Sequence, residues 1–197
     1  MAEAAIREAT YADPEAVPAH LVAEIIDGRL ETQSSLPPRH GAAATALMGE
    51  LGPAFGRPQG RPGNWMFCWR PEFHFGSQVV VPDMAGWQNG RMLAELDAAF
   101  IETPPDWVCE VLSPPTARLD RGPKHRIYAE AGVGHLWLLD PADGVLEAFA
   151  PTDGQWLLLG TVQRGEAVSL PPFDAVSFPL DDLFAFDDPA APNSPET

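Results

Sequence analysis

The chain has 197 residues, 45% of them hydrophobic, and a formal net charge of −16, with 12 basic residues against 28 acidic ones. That length suits one domain with a real core, and 22 prolines with 17 glycines point to many turns and short elements. The charge excludes broad, non-specific phosphate binding, which needs a basic surface, so any nucleic-acid contact has to be local.

Cys68 and Cys109 lie in apolar, strand-like runs and not in a Cys-x-x-Cys pair, so reduced, buried thiols are expected. No early stretch joins a basic segment to an apolar one, and no apolar run approaches the ~20 residues of a membrane span. A cytoplasmic protein without membrane contact is the expectation.

In chain order, residues 1–19 read as an N-terminal arm with a short helical piece, 20–186 as the folded domain and 187–197 as a disordered tail. Leu21 to Glu31 is a hairpin about the Asp27-Gly28 turn, with Glu24 in its first strand. From His40, the residues Ala44, Leu47, Met48, Leu51 and Phe55 make one helical stripe that Gly56 and Pro58 end. A glycine- and proline-rich loop spans Pro58 to Gly63. Trp65–Phe75 and Gln78–Val81 follow as two strands, the second buried on both faces and stopped by Pro82-Asp83. Arg91–Phe100 is a predicted short surface helix.

Trp107–Leu112 is a core strand in which Val108, Glu110 and Leu112 share one face and Trp107, Cys109 and Val111 the other. A glutamate inside such a strand needs a partner, a proton or a metal. The chain then crosses through a helix capped by Asp120 or Gly122, with Pro123 in its first turn, and returns at Gly134–Asp140 as a parallel strand. Val145–Phe149, Gln155–Val162 and Ala167–Leu170 are predicted antiparallel strands between Asp-Gly and Arg-Gly turns, and Leu180–Phe186 a closing helical turn.

Lys124 is the sole lysine in the chain. With Ile127, Tyr128 and Ala131 it falls on the inward stripe of the crossover helix, and in a first turn it opposes the helix dipole at a cost of up to ~1 kcal/mol. Asp83 and Glu110 are the anions expected to compensate it. Such a set suits metal-assisted hydrolysis: hard oxygen ligands for Mg²⁺ or Mn²⁺, and a cation to orient the nucleophile or neutralise developing charge. Simpler readings stand beside it. Asp83 can cap a turn, Glu110 can pair with an arginine or with Lys124, Glu24 can be an exposed strand residue, and Tyr128 can be plain core. The five histidines show no ligand spacing and read as structural. Arg118, Arg121 and Arg126 form the dense basic patch, either a solvated, salt-bridged crossover or a local phosphate-steering surface.

Pro82-Asp83 with Glu110-Val111-Leu112 resembles the Pro-Asp…(Asp/Glu)-x-Lys signature of the PD-(D/E)XK nuclease superfamily. Glu24–Gly28, Pro105–Pro114, the Asp120…Lys124…Tyr128 helix and Gly132–Pro141 resemble, more closely, a large bacterial family of "putative restriction endonucleases". The resemblance covers about residues 15–185. It implies a restriction-endonuclease-like α/β (α+β) fold, a mixed central sheet flanked by helices with additional C-terminal antiparallel strands. It also implies a Mg²⁺- or Mn²⁺-dependent endonuclease acting on DNA, with Asp83, Glu110 and the Val111 carbonyl as metal ligands. Leu112 stands where the superfamily has its lysine, and Lys124 matches the position on the following helix; Glu24 matches a glutamate that approaches the site. Arg118, Arg121 and Arg126 would contact DNA, and a homodimer is the assembly this reading allows. The alternative is a catalytically inactive binding or assembly protein on the same fold, which the acidic charge favours.

Overall fold

Asp27 (φ 52°) and Gly28 (φ 73°) both take the left-handed conformation that a tight two-residue turn requires. They join β1 (Val22–Ile26) to β2 (Arg29–Gln33), as the sequence predicts. The computed structural model describes residues 9–184 except 16, 19, 34, 35, 57–63, 89 and 92. The expectations for the first eight residues, the Pro58–Gly63 loop and the tail therefore fall outside the described residues. A four-residue helix, α1 (Ala12–Glu15), precedes the hairpin.

Helix α2 (Pro38–Phe55) follows, with proline in its first turn and Gly56 closing it through an N–H to the Gly52 carbonyl. Ala44, Leu47, Leu51 and Phe55 are buried and Met48 is partly so. Each such leucine contributes roughly 1.5–3 kcal/mol by leaving water.

The next stretch departs from expectation. The predicted long strand breaks at Arg70 (φ 47°) into β3 (Trp65–Trp69) and β4 (Phe73–Phe75), which join different sheets. After β5 (Gln78–Val80) comes a strand that was not predicted, β6 (Met84–Gln88). Asp83 thus opens β6 and does not end a central strand. Met-Ala-Gly-Trp lacks the β-branched residues that mark strands. Gly86 is there for space: a Cβ on it would lie 3.1 Å from both the Phe67 and Trp65 rings of β3. Instead of a helix over Arg91–Phe100 there is one 3₁₀ turn (Leu93–Glu95). Leu96 remains 53% exposed, so it has nothing to pack on, and Glu95 instead accepts backbone N–H groups of Glu102 and Thr103.

Strand β7 (Trp107–Val111) is buried at every residue. The chain then passes through α3 (Ala117–Leu119), a π-helical turn (Asp120–Lys124) and α4 (His125–Ala131) before β8 (Leu136–Asp140). These three segments run on without a break, so Asp120 (φ −66°, ψ −44°) is inside the helix and does not cap it. Pro123 has no N–H to give to the carbonyl four residues back, and the helix widens there instead of ending. Strands β9 (Val145–Thr152), β10 (Gln155–Gln163), β11 (Ala167–Val168) and β12 (Phe178–Pro179) and a 3₁₀ turn (Leu180–Phe184) complete the described chain.

The central sheet has the order β10-β9-β8-β7-β6-β3. Its β7–β8 pair is parallel, as the crossover predicts, and the others are antiparallel. Trp107, Cys109 and Val111 face α2 and the C-terminal segment, whereas Val108 and Leu112 face α4 and the second sheet, β2-β1-β5-β4. Both cysteines are free; Cys109 is buried, and Cys68, contrary to expectation, only half so.

Candidate active site

Glu110 lies on the α4 side of β7, and the helical run carries Lys124 up to it. Lys124 Nζ is 2.7 Å from Glu110 Oε1, 3.1 Å from Glu24 Oε1 and 3.4 Å from Asp120 Oδ1. Three ion pairs surround the ammonium, which also donates to the Val81 carbonyl at 3.5 Å, and Lys124 is 1% exposed. The helix starts at Ala117, so the expected first-turn conflict with the dipole does not arise. The carboxylates answer the lysine's burial.

Glu24 proves to be fully buried, which overturns its reading as an exposed strand residue. Besides Lys124 it accepts the Val81 N–H at 2.8 Å and the Gln33 amide at 2.9 Å. Glu110 Oε1 also accepts the Tyr128 hydroxyl, so Tyr128 is core with a polar task. Asp83 is held separately. Its Oδ2 accepts the Val111 N–H at 2.8 Å and contacts His40 Nε2 at 3.0 Å. His40, on α2, is buried beside it.

Asp83, Glu110, Asp120 and Lys124 line one narrow cleft, open to solvent, with about 10 Å³ of free volume. That is close to the space of a single water or ion. Burial pushes the Glu110 carboxyl well above the usual carboxylate range; Lys124 pulls it back, while Asp120, Asp83 and Glu24 push it further up. Burial works against a charged Lys124, and Glu110 and Glu24 outweigh it, holding the ammonium well above the usual lysine range. Three carboxylates thus lie within 3.4 Å of one ammonium, with Asp83 in the same cleft, and the excess negative charge calls for a proton, a metal or a second cation.

The donor set suits a hard divalent cation, in part. Asp83 Oδ1 and Glu110 Oε2 have no hydrogen-bond partner among the described residues. The Val111 peptide lies against Asp83. Among the described residues, however, no group of three or more His, Cys, Asp or Glu side chains is arranged to hold a metal ion. Two carboxylates, of Asp83 and Glu110, are what the cleft offers with an oxygen free of hydrogen bonds among the described residues.

The expected basic patch divides. Arg121 pairs with Glu147, and Arg126 with Asp27 and Glu130, while Arg118 is exposed without an ion pair among the described residues. This is largely the salt-bridged crossover.

The family model described as Uma2, "Putative restriction endonuclease", matches residues 12–181. The chain belongs to this family. A solved structure described as a putative nuclease belonging to DUF820, from Anabaena variabilis, shares the fold with a TM-score of 0.69 at 20% identity. The match covers 84% of this chain and 90% of that one. Among curated proteins none matches. Membership agrees with the PD-(D/E)XK resemblance and the mixed sheet. No helix among the described residues is long and apolar enough to cross a membrane.

For an Uma2 family member, Asp83, Glu110, Lys124 and Glu24 do come together, and the sequence points to each. Three partners were missed. His40 carries no motif, Asp120 reads as a cap, and Tyr128 reads as core. The available signal for Asp120 was its i, i+4 spacing to Lys124.

Proposed function

We propose that this chain is a divalent-metal-dependent DNA endonuclease, with Asp83, Glu110 and the Val111 carbonyl holding Mg²⁺ or Mn²⁺. The observation that carries the reading is the cleft itself, which brings Asp83, Glu110 and Asp120 together with Lys124. When bound, the ion would lower the pKa of a water and stabilise charge on a phosphoryl oxygen. Lys124, kept charged by its neighbours, acts as a cation and not as a base: it neutralises charge that develops at the phosphate. Glu24 and Asp120 hold that ammonium in place. His40 and the Val111 N–H fix Asp83, leaving Oδ1 for the cleft.

The test is cleavage of plasmid and single-stranded DNA with Mg²⁺ or Mn²⁺. Cutting is expected, and Asp83→Ala and Lys124→Ala should abolish it. Activity that survives both substitutions sinks the proposal.

A second reading is a nuclease-fold binding or assembly protein without catalysis. It is favoured by the full engagement of Lys124 and by the ion pairs that occupy Arg121 and Arg126. Isothermal titration separates the two. A folded protein that takes no Mn²⁺ at millimolar concentration supports the second.

A further inference from the structure

Arg70 is the one half-buried arginine among the described residues; the others are exposed. Its side chain has no ion-pair or hydrogen-bond partner among those residues, although it lines the same cleft as Asp83, Glu110 and Asp120. Its backbone is held in the left-handed region at φ 47°, unfavourable for a residue with a Cβ, and its N–H donates to the Asp83 carbonyl at 3.0 Å. A charged side chain, unpaired among the described residues, drawn inward and set on a strained residue tied to Asp83 is costly to the fold alone.

Arg70 also lines a second cavity. This groove, of about 400 Å³, is walled by Tyr11, Pro14, Val17, Leu21 and Val81. Arg70 and Val81 belong to both cavities, so the groove and the acidic cleft adjoin there. The volume is within the range of small-molecule sites. Apolar side chains and an aromatic ring suit the face of a base, and a guanidinium suits a phosphate, which it grips through two parallel N–H donors. Glu72 lines the groove too. It is bound to His74 through Oε1 at 2.9 Å, and as an acceptor it suits a base edge bearing N–H groups.

We infer, on the footing of the nuclease reading above, that this groove is a subsite for one nucleotide of a DNA strand beside the cleft, with Arg70 binding the intervening phosphate. An acidic protein needs such a local anchor. The strand is held by one guanidinium and an apolar wall, and not by a basic surface.

The test uses Arg70→Gly, because glycine adopts this φ without strain while the guanidinium is lost with the rest of the side chain. Fluorescence polarisation with a short labelled single strand in EDTA should show binding weakened about tenfold or more in Arg70→Gly, and partly kept in Arg70→Lys. The salt slope should fall by about one in the glycine variant. Its Tm should equal or exceed that of the parent, which a merely structural arginine does not allow. Tyr11→Ala should weaken the same strand. Affinity within twofold of the parent in Arg70→Gly, a lowered Tm, or no binding of the strand by the parent protein overturns the inference. Cleavage is read separately. A protein that never cuts yet binds through Arg70 defeats the nuclease reading alone, and cutting with parental KM in Arg70→Gly defeats this inference alone.

Discussion

The Lys124 ammonium stands 3.1 Å from the Glu24 carboxylate, joining the N-terminal hairpin to the crossover helix through a buried ion pair. Glu110 completes the link to the central sheet at 2.7 Å. One side chain therefore ties together three elements that are far apart in sequence, and stability and function meet in it.

Lys124→Met should be strongly destabilising. It leaves Glu24, Glu110 and Asp120 buried without their cation, and breaking a buried pair in this way costs about 3–5 kcal/mol. Urea unfolding at neutral pH measures it. A loss below about 1 kcal/mol would show that the carboxylates find other partners.

His40→Gln should leave the fold standing and weaken the metal site. The Val111 N–H still holds Asp83, but the contact from α2 is lost. Removing a group that orients a ligand typically costs about 10–100-fold in metal affinity. Titration with Mn²⁺ reads it, and unchanged affinity assigns His40 to packing only.

The raised Glu110 carboxyl makes stability depend on pH. Because its folded pKa lies above the unfolded value of about 4.3, Glu110 binds its proton more tightly when folded. Its contribution is fully present below that unfolded value and is lost as pH rises through the folded pKa. Denaturation midpoints across this window should fall less steeply with rising pH in Glu110→Gln than in the parent. Parallel curves for the two proteins would contradict the assignment.

Gly134→Ala should destabilise without touching the site. A Cβ there would lie 2.6 Å from the Asp106 carbonyl oxygen, which is backbone and has little room to retreat. The cost of such overpacking is about 1–3 kcal/mol. A parental melting temperature would mean that the start of β8 shifts freely, while Mn²⁺ affinity should stay as it was.

Much of the architecture could be read along the chain. Periodicity placed α2, the β7–crossover–β8 unit and the Asp27-Gly28 hairpin, because each rests on local geometry: apolar residues every third or fourth position, alternating faces, and a turn that needs positive φ. β6 escaped notice because Met84-Ala85-Gly86 is strand only by virtue of its neighbours β3 and β7. The helix over Arg91–Phe100 failed for the converse reason, a helical period whose Leu96 finds no surface to bury it.

Residue spacing alone puts Glu110 inside a buried strand and Lys124 on the inward face of the next helix. The sequence also marked Asp83 and Glu24, through the motifs in which they sit. It takes the folded chain to bury Glu24, to bring Asp120 and Tyr128 into the cluster, and to brace Asp83 with His40 and Val111. Burial and pairing are properties of elements brought together from distant parts of the chain. No local pattern encodes them.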